Sequence, residues 1–168
     1  MNNFSIHNFI FNWMQGFNYD VTDLGIAISV FQMCLFAKRC FLLLILQTLF
    51  TAFFASIPHD WYRNNPIAQY EGYYASVFYS YFAALGLDII LEDTTNQGRI
   101  DMAVKFNEQV YLFEFKVVEL VPQGKALQQL QDRSYADKYH GLGQPIHLIG
   151  VEFSKKSRSV VGFEWLSI

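Results

Sequence analysis

The pattern of apolar and polar positions divides the chain into two unlike parts. Residues 24–57 are nearly all apolar and are interrupted by the charged pair Lys38 and Arg39. The longest uncharged run of this apolar part, residues 40–58, has 19 residues, close to the ~20 that a membrane-spanning helix needs. One side of a helical wheel, however, collects polar and small residues, which is typical of a buried helix with one thin wet face. This polar stripe therefore favours a core or interface helix over a membrane span. Its residues are Gln47, Thr48, Thr51, Ala52 and Ala55.

From Pro58 onward, turn residues and alternating patterns predict a regular series of elements. Asn65 and Pro66 resemble a helix N-cap followed by proline at the first helical position, and that helix is expected to run to about Leu85 and stop at Gly86. Residues 93–98 are expected to form a loop. The predicted order is α-β-β-β-α-β-β, an α/β (α+β) arrangement. After the first helix it has strands at 87–92, 99–106 and 109–118, a helix at 125–139, and strands at 147–153 and 160–166.

The second and third predicted strands form a hairpin if Asn107 and Glu108 make the turn, because Phe106 then faces Gln109. Side chains alternate between the two faces of such a hairpin. One face is wholly apolar and is predicted to be core: Ile100, Met102, Val104, Phe106, Tyr111, Phe113, Phe115 and Val117. The other face carries Asp101, Ala103, Lys105, Val110, Leu112, Glu114 and Lys116.

This register places two like charges, Asp101 and Glu114, directly opposite each other. Facing residues on paired strands have Cβ atoms about 4.5–5.5 Å apart. Two such charges repel by about 4 kcal/mol at a separation of about 4 Å and an effective dielectric constant of about 20. A fold avoids this arrangement unless a cation lies between the carboxylates. Lys116 projects from the same face and could compensate in part.

The predicted first helix adds a third acid, because Glu71 lies at the end of an otherwise apolar stripe. A glutamate on a core-facing stripe is costly unless it is paired or binds a ligand. If this helix packs across the polar face of the hairpin, Glu71 meets Asp101 and Glu114. Three carboxylates with open water positions suit Mg²⁺ or Mn²⁺. The stripe consists of Glu71, Ala75, Phe78, Phe82 and Leu85.

Each of these residues also has a structural alternative when taken alone. Glu71 could pair with Arg63 or with a tyrosine hydroxyl, and Asp101 could cap a turn. Glu114 and Lys116 could form an exposed pair along one strand. The joint occurrence of three acids and a lysine on one predicted face favours the metal site more than any single residue does.

Composition narrows the class of protein further. Hydrophobic residues make up 52% of the chain, aromatic residues 18% and charged residues 16%, with a net charge of −3. These values exclude intrinsic disorder and a generally basic nucleic-acid-binding surface. A polyanion would therefore have to be bound by a local basic patch or by a metal ion. The two cysteines show neither zinc nor disulfide spacing, and no signal peptide is evident, which favours a cytoplasmic protein. Local basic residues that could contact a DNA backbone are Lys125, Arg133, Lys138, Lys155, Lys156 and Arg158.

The segment GRIDMAVKFNEQVYLFEFK, residues 98–116, resembles the motif of the PD-(D/E)XK nuclease superfamily. It has an aspartate on one strand and Glu-x-Lys on the next, although the proline of the superfamily name is absent. Residues 57–166 resemble the C-terminal nuclease-like domain found in bacterial proteins behind an AAA-ATPase-like domain. The resemblance implies a restriction-endonuclease-like core, a central mixed sheet flanked by helices. It also implies a nuclease-like domain at residues 57–168, preceded by the apolar helical segment 1–56.

The resemblance also implies roles for individual residues. Asp101 and Glu114 would hold the metal ion, Mg²⁺ or Mn²⁺, and Lys116 would orient the attacking water or stabilise charge at the phosphate. Glu71 would be the acid of the first helix and part of the metal site. Gln129 would be the supporting glutamine of the following helix.

The assignment of the supporting glutamine has an alternative. Gln131 and Tyr135 have the spacing of the related glutamine–tyrosine pair, whereas Gln129 would be accompanied by Tyr135 and Tyr139 downstream. Both assignments place the glutamine on the helix after the Glu-x-Lys strand.

The implied function is metal-dependent hydrolysis of DNA phosphodiester bonds. The alternative is a non-catalytic binding or regulatory module with the same fold, truncated from an ATPase-linked protein. The sequence contains no G-x-x-x-x-G-K-[ST] motif and therefore no ATP site of the P-loop kind. DNA is the expected partner, an ATPase-like domain or protein is a further candidate, and membrane association is disfavoured.

Overall fold

The computed structural model describes residues 39–58 and 66–168. After helix α1 (Arg39–Ser56), a 3₁₀ turn (Pro66–Gln69) leads into helix α2 (Glu71–Ala84). Three strands follow: β1 (Asp88–Thr95), β2 (Gly98–Phe106) and β3 (Gln109–Val118). The chain then forms helices α3 (Lys125–Asp132) and α4 (Asp137–His140) and strands β4 (Ile146–Ser154) and β5 (Val160–Ser167).

The strands form one five-stranded sheet in the order β1-β2-β3-β4-β5. All neighbouring strands are antiparallel except β3 and β4, which are parallel and are connected through α3 and α4. Helices α1 and α2 cover one face, and α3 covers the other. The predicted fold class is therefore confirmed: a mixed α/β fold with a five-stranded mixed sheet flanked by helices, as in restriction-endonuclease-like folds.

Aromatic side chains account for most of the larger core. Phe78 of α2 is fully buried, and its ring stacks on Phe50 of α1 with a centroid distance of 3.5 Å. The same ring lies against Phe115 of β3 at 4.9 Å, and Tyr74 stacks on Phe153 of β4 at 4.0 Å. The high aromatic content thus serves to join both N-terminal helices to the sheet.

The predicted hairpin register is found in the structure. Phe106 pairs with Gln109 and Met102 with Phe113, and the turn residues Asn107 and Glu108 have φ values of 50° and 57°. Two consecutive positive φ values are those of a type I′ turn, which matches the twist of a hairpin.

One residue of the predicted apolar face is buried as expected but lies on the other face of the sheet. Ile100 is buried, but it packs with Ala103 in the cluster under α3 and not with Val104 under α2. The alternation breaks because neither the β1–β2 ladder nor the β2–β3 ladder includes Asp101. Opposite it on β1, Glu92 has a φ of 49°, so both strands bend at this level.

The expectation that the first helix crosses the polar face of the hairpin is wrong. Helix α2 packs on the apolar face, where Phe82 lies against Phe113 at 5.5 Å. The aromatic stripe of the helix gains more from this apolar surface than from a face with charged side chains. The opposite face is buried by α3, with Leu112 and Leu130 both fully inaccessible.

Two predicted helices differ in extent. The first is divided into the 3₁₀ turn and α2, with Tyr70 at the N-cap position and the end at Gly86 (φ 72°) as expected; Asn65 lies outside the described residues. The second breaks at Ser134, whose φ is 48°, into α3 and α4. The break allows both Tyr135 and Tyr139 to be buried, at 3% exposure each.

Helix α1 is packed into the core through Leu43, Phe50 and Phe54, while Thr48 and Thr51 of the polar stripe are exposed. Within the two described ranges, no helix is both long and apolar enough to cross a membrane. Residues 1–38 lie outside the described part, so the division at residues 56 and 57 stays a prediction.

Candidate active site

Strands β2 and β3 bring the first two acids together. The Oδ2 atom of Asp101 accepts a hydrogen bond of 2.8 Å from the backbone N–H of Phe115. This contact places the Asp101 carboxylate beside Glu114, the residue before Phe115. The two acids are therefore close to each other, as predicted, although Asp101 and Glu114 are not a regular pair of the β2–β3 ladder.

Glu114 has an unusual environment for a carboxylate. Glu114 is only 1% exposed, and its Oε1 atom accepts hydrogen bonds from Lys116 Nζ at 2.9 Å and from the Gln129 side-chain amide. Its Oε2 atom is buried and has no hydrogen-bond partner among the described residues. An unsatisfied buried carboxylate oxygen is rare in folded proteins and is one mark of a functional site.

Glu71 reaches the same region from the start of α2. Its Oε2 atom lies 3.5 Å from Lys116 Nζ, and its Oε1 atom accepts a hydrogen bond of 3.4 Å from the N–H of Val117. Lys116 thus lies between two carboxylates, those of Glu71 and Glu114. Across residues 39–58 and 66–168, no group of three or more His, Cys, Asp or Glu side chains is close enough to hold a metal ion. Together with burial, the charge of Glu71 nevertheless raises the pKa of both Asp101 and Glu114, so the three carboxylates and Lys116 share one region, and which of them bind a metal ion stays a prediction.

Burial and mutual repulsion control the charges of the site. Burial raises the pKa of Glu114 to about 7, the negative charge of Asp101 adds to the rise, and Lys116 opposes it. Burial also raises the pKa of Asp101, against the effects of the Phe115 N–H and Lys116. For Lys116, burial lowers the pKa, but the hydrogen bond and charge of Glu114 outweigh it and the pKa is raised. The site therefore favours additional positive charge beside the two acids.

Helix α3 carries both candidate glutamines. Gln129 donates its side-chain N–H to Glu114, whereas Gln131 is exposed. Tyr135 packs beside Gly98 at the start of β2. Tyr139 donates its hydroxyl to Asp93 on β1, and burial together with that hydrogen bond raises the pKa of Tyr139. Of the two glutamines that the spacing allowed, Gln129 is the one that contacts the acids.

The sequence interpretation missed two buried acids. Asp93, assigned there to a loop, is 7% exposed and binds Lys138 as well as Tyr139. Glu152 on β4 is 2% exposed and accepts hydrogen bonds from backbone N–H groups at the start of α3. The available signal was a single acid within the otherwise apolar strand HLIGVEF.

The expected basic surface is partly occupied by internal contacts. Arg133 donates to the carbonyl of Gln97, Lys138 pairs with Asp93, and Lys155 pairs with Glu119. Lys125 and Lys156 are exposed, and Arg158 is half-buried.

The residues present fit a divalent cation with few protein ligands. The unpartnered Oε2 of Glu114 and the neighbouring carboxylate of Asp101 are hard oxygen ligands. Mg²⁺ is commonly held by one or two carboxylates together with waters and substrate phosphate oxygens. The donor set therefore suits Mg²⁺ or Mn²⁺ without a third carboxylate.

The sheet order, the acid pair on β2 and β3 and the lysine two residues after Glu114 together define a nuclease-like domain. A family model for the PD-(D/E)XK nuclease superfamily matches residues 69–163, more than half of the chain. The chain belongs to the PD-(D/E)XK nuclease superfamily. Nucleases of this superfamily generally use divalent metal ions.

A longer bacterial protein is similar to most of this chain. An Azotobacter chroococcum mcd 1 protein, described as an uncharacterized protein in the vnfD 5′ region, is 80% identical over 118 residues. The match covers 70% of this chain and 23% of that protein. The chain thus spans about a quarter of the length of this relative.

Proposed function

We propose that this domain binds a divalent cation, Mg²⁺ or Mn²⁺, and hydrolyses phosphodiester bonds of DNA. The observation that carries the proposal is the buried Oε2 of Glu114, which has no hydrogen-bond partner in the described structure and lies beside a second acid, Asp101. Burying such a pair is costly in the absence of a cation. A bound divalent ion removes the cost by neutralising both carboxylates.

Asp101 and Glu114 are the proposed metal ligands. A bound ion supplies two effects there: it polarises the phosphate and lowers the pKa of a bound water. The hydrogen bond from Gln129 to Oε1 of Glu114 orients this carboxylate and leaves Oε2 as the oxygen that would bind the ion. Water and phosphate oxygens would supply the other ligands, as is usual for Mg²⁺.

Lys116 is the proposed residue for the attacking water. Its ammonium group has three N–H donors: Glu114 accepts one as a hydrogen bond, and Glu71 forms an ion pair at 3.5 Å that takes up a second at most. The third is available to hold the water and to offset the negative charge that develops at the phosphate. Glu71, expected from sequence as a metal ligand, is instead proposed to hold Lys116 in place, because its closest charged contact is Nζ.

DNA is the proposed substrate on the strength of family membership and of exposed cations on α3 and directly after β4, the two elements that adjoin β3. Lys125 begins the helix that carries Gln129, and Lys156 lies in the turn between β4 and β5. Cations at such positions can contact phosphates without reading sequence. RNA and DNA of equal sequence should both be offered to the protein, and preference for RNA would contradict this part of the proposal.

The experiment compares cleavage and metal binding in matched variants. We expect Mg²⁺- or Mn²⁺-dependent cleavage of DNA that is abolished by a chelator, by Asp101→Asn and by Lys116→Ala. Lys105→Ala is the control, since Lys105 lies on β2 away from the acids and should leave the rate unchanged. Mn²⁺ should raise the melting temperature of the wild type but not that of Asp101→Asn. Cleavage that persists in both site variants would refute the assignment.

A second candidate is a non-catalytic module that retains the fold. It is favoured by the ion pairs of Lys116 with Glu114 and Glu71, which neutralise part of the site without metal. Binding of DNA without cleavage at any Mg²⁺ or Mn²⁺ concentration would support it. An ATPase-like partner domain or protein remains a proposal that rests on the sequence resemblance.

A further inference from the structure

Glu152 makes a set of contacts that the proposed chemistry does not use. Its carboxylate accepts hydrogen bonds from four consecutive backbone N–H groups, those of residues 123–126. Oε2 accepts from Gln123 and, at 3.1 Å, from Gly124. Oε1 accepts from Lys125 at 2.7 Å and from Ala126 at 3.3 Å. A side chain near the C-terminal end of β4 therefore holds the backbone that leads into α3 and the first two residues of the helix.

The physical basis is the unsatisfied polarity of a helix start. The first N–H groups of a helix have no partner within the helix, and their dipoles favour a negative charge. The N-cap residue Gly124 makes no side-chain cap. Glu152 takes the place of that cap, and because it belongs to the sheet, it joins the helix to the sheet as well.

A second feature shows how closely α3 lies on β4. A Cβ atom added at Gly150 would lie 2.2 Å from the backbone N of Leu127. Ala126 and Leu130 on the same helix are fully buried. The separation of helix and strand is thus set by backbone contact at Gly150 and by the carboxylate of Glu152, two residues further on.

This placement decides where Gln129 points. Gln129 is one turn after the N–H groups that Glu152 binds, and Gly150 pairs with Glu114 across the parallel strands. We propose that Glu152 is a positioning residue: by fixing the N-terminus of α3 on β4, it sets the position at which Gln129 contacts Glu114. The geometric part stands on its own, whereas its effect on metal binding rests on the proposed function.

The direct test is the state of the Gln129 side-chain amide in metal-free protein. Its NMR signals are identified by their loss in Gln129→Ala. In Glu152→Gln one acceptor oxygen is replaced by an NH₂ group, which cannot accept from the helix N–H groups. We expect the Gln129 amide protons to exchange with water about tenfold faster in this variant, with the amides of β2 and β3 unchanged. Unchanged exchange and chemical shift of the Gln129 amide would overturn the proposal.

Glu119→Gln is the matched control, because Glu119 is an exposed acid in the preceding loop that pairs with Lys155 and does not contact α3. It should leave the Gln129 signals as in the wild type. If Glu152→Gln does not fold, Glu152→Asp retracts the carboxylate by one methylene group. The Glu152→Asp variant should then show the same faster exchange and changed chemical shift of the Gln129 amide protons. Wild-type signals in the folded Glu152→Asp variant would count against the proposal.

A double-mutant cycle tests the link to metal binding. Glu152→Gln and Gln129→Ala should each weaken Mn²⁺ affinity by about tenfold, and the double variant should be no weaker than either. Losses that multiply would show that Glu152 does not act through Gln129, which contradicts the proposal. A wild type that binds no Mn²⁺ would refute the proposed function, while the NMR measurement still decides the role of Glu152.

Discussion

The carboxylate of Asp101 accepts a hydrogen bond of 2.8 Å from the backbone N–H of Phe115, and so takes a position beside β3 that a ladder partner would otherwise occupy. The regular pairing of β2 with β3 ends at Met102 and Phe113, just before this contact. The departure from regular pairing directs Asp101 toward Glu114 and creates the pair of acids at the centre of the site.

The protonation of Glu114 should make the stability of the metal-free protein depend on pH. Its pKa is about 7 in the folded chain against 4.5 as the ordinary value. The folded state therefore binds more protons between these values, and the free energy of unfolding falls as pH rises through them. At about 1.4 kcal/mol per pH unit, the full loss is about 3 kcal/mol. Urea denaturation at pH 5 and pH 8, in wild type and Glu114→Gln, measures it.

The difference between the two proteins is the informative quantity, because other groups also titrate in this range. Glu119→Gln, which removes an exposed acid, should keep the wild-type dependence on pH. A wild type that gains stability relative to Glu114→Gln as pH rises would contradict the raised pKa.

Replacement of Glu71 should show whether this residue binds the metal ion or holds Lys116 in place. Glu71→Gln removes the negative charge 3.5 Å from Lys116 Nζ, and we expect cleavage to slow by about tenfold. Mn²⁺ should still raise the melting temperature, because Asp101 and Glu114 are unchanged. A Mn²⁺ response as weak as that of Asp101→Asn would instead identify Glu71 as a metal ligand.

The aromatic core should depend strongly on Phe78. This ring is fully buried and contacts both α1 and β3, so Phe78→Ala should lower the free energy of unfolding by about 3–5 kcal/mol. Tyr79→Ala, at the next position of the helix, is the control, since Tyr79 is 41% exposed. Chemical denaturation of both variants measures the contrast, and equal losses would show that the packing of α1 on α2 is not as described.

Gly150 should tolerate no side chain. A Cβ atom there would meet the backbone of Leu127 at 2.2 Å, so Gly150→Ala must move α3 and should cost about 1–3 kcal/mol of stability. In contrast, Gly72→Ala meets nothing within 4 Å and should stabilise α2 by up to about 1 kcal/mol. Thermal melting of the two variants should therefore shift in opposite directions, and a neutral Gly150→Ala would contradict the close packing.

Local pattern was sufficient for the presence of the strands and for the register of the hairpin up to the pair of Met102 and Phe113, but not for the change of face at Ile100 or for the extension of β1 to Thr95. The alternation in residues 99–118 and the turn at Asn107 and Glu108 predicted both strands and their register, because hairpin pairing depends on a few neighbouring residues. The same register predicted that Asp101 and Glu114 are close. The extent of the helices was less predictable, since the break at Ser134 serves two buried tyrosines that contact distant strands.

The sequence by itself determined the order of the elements, through turn residues and periodicity. It also determined the proximity of the two acids and the presence of Lys116 on the strand of Glu114, because both follow from spacing along one hairpin. Only the tertiary structure decided which face α2 covers, that Glu71 contacts Lys116, and that Glu152 holds α3. These contacts join residues that are distant in sequence, and their partners are selected by how helices and sheet share buried surface. Periodicity shows that a helix has an apolar side, but the position of that side in the fold depends on every element packed against it.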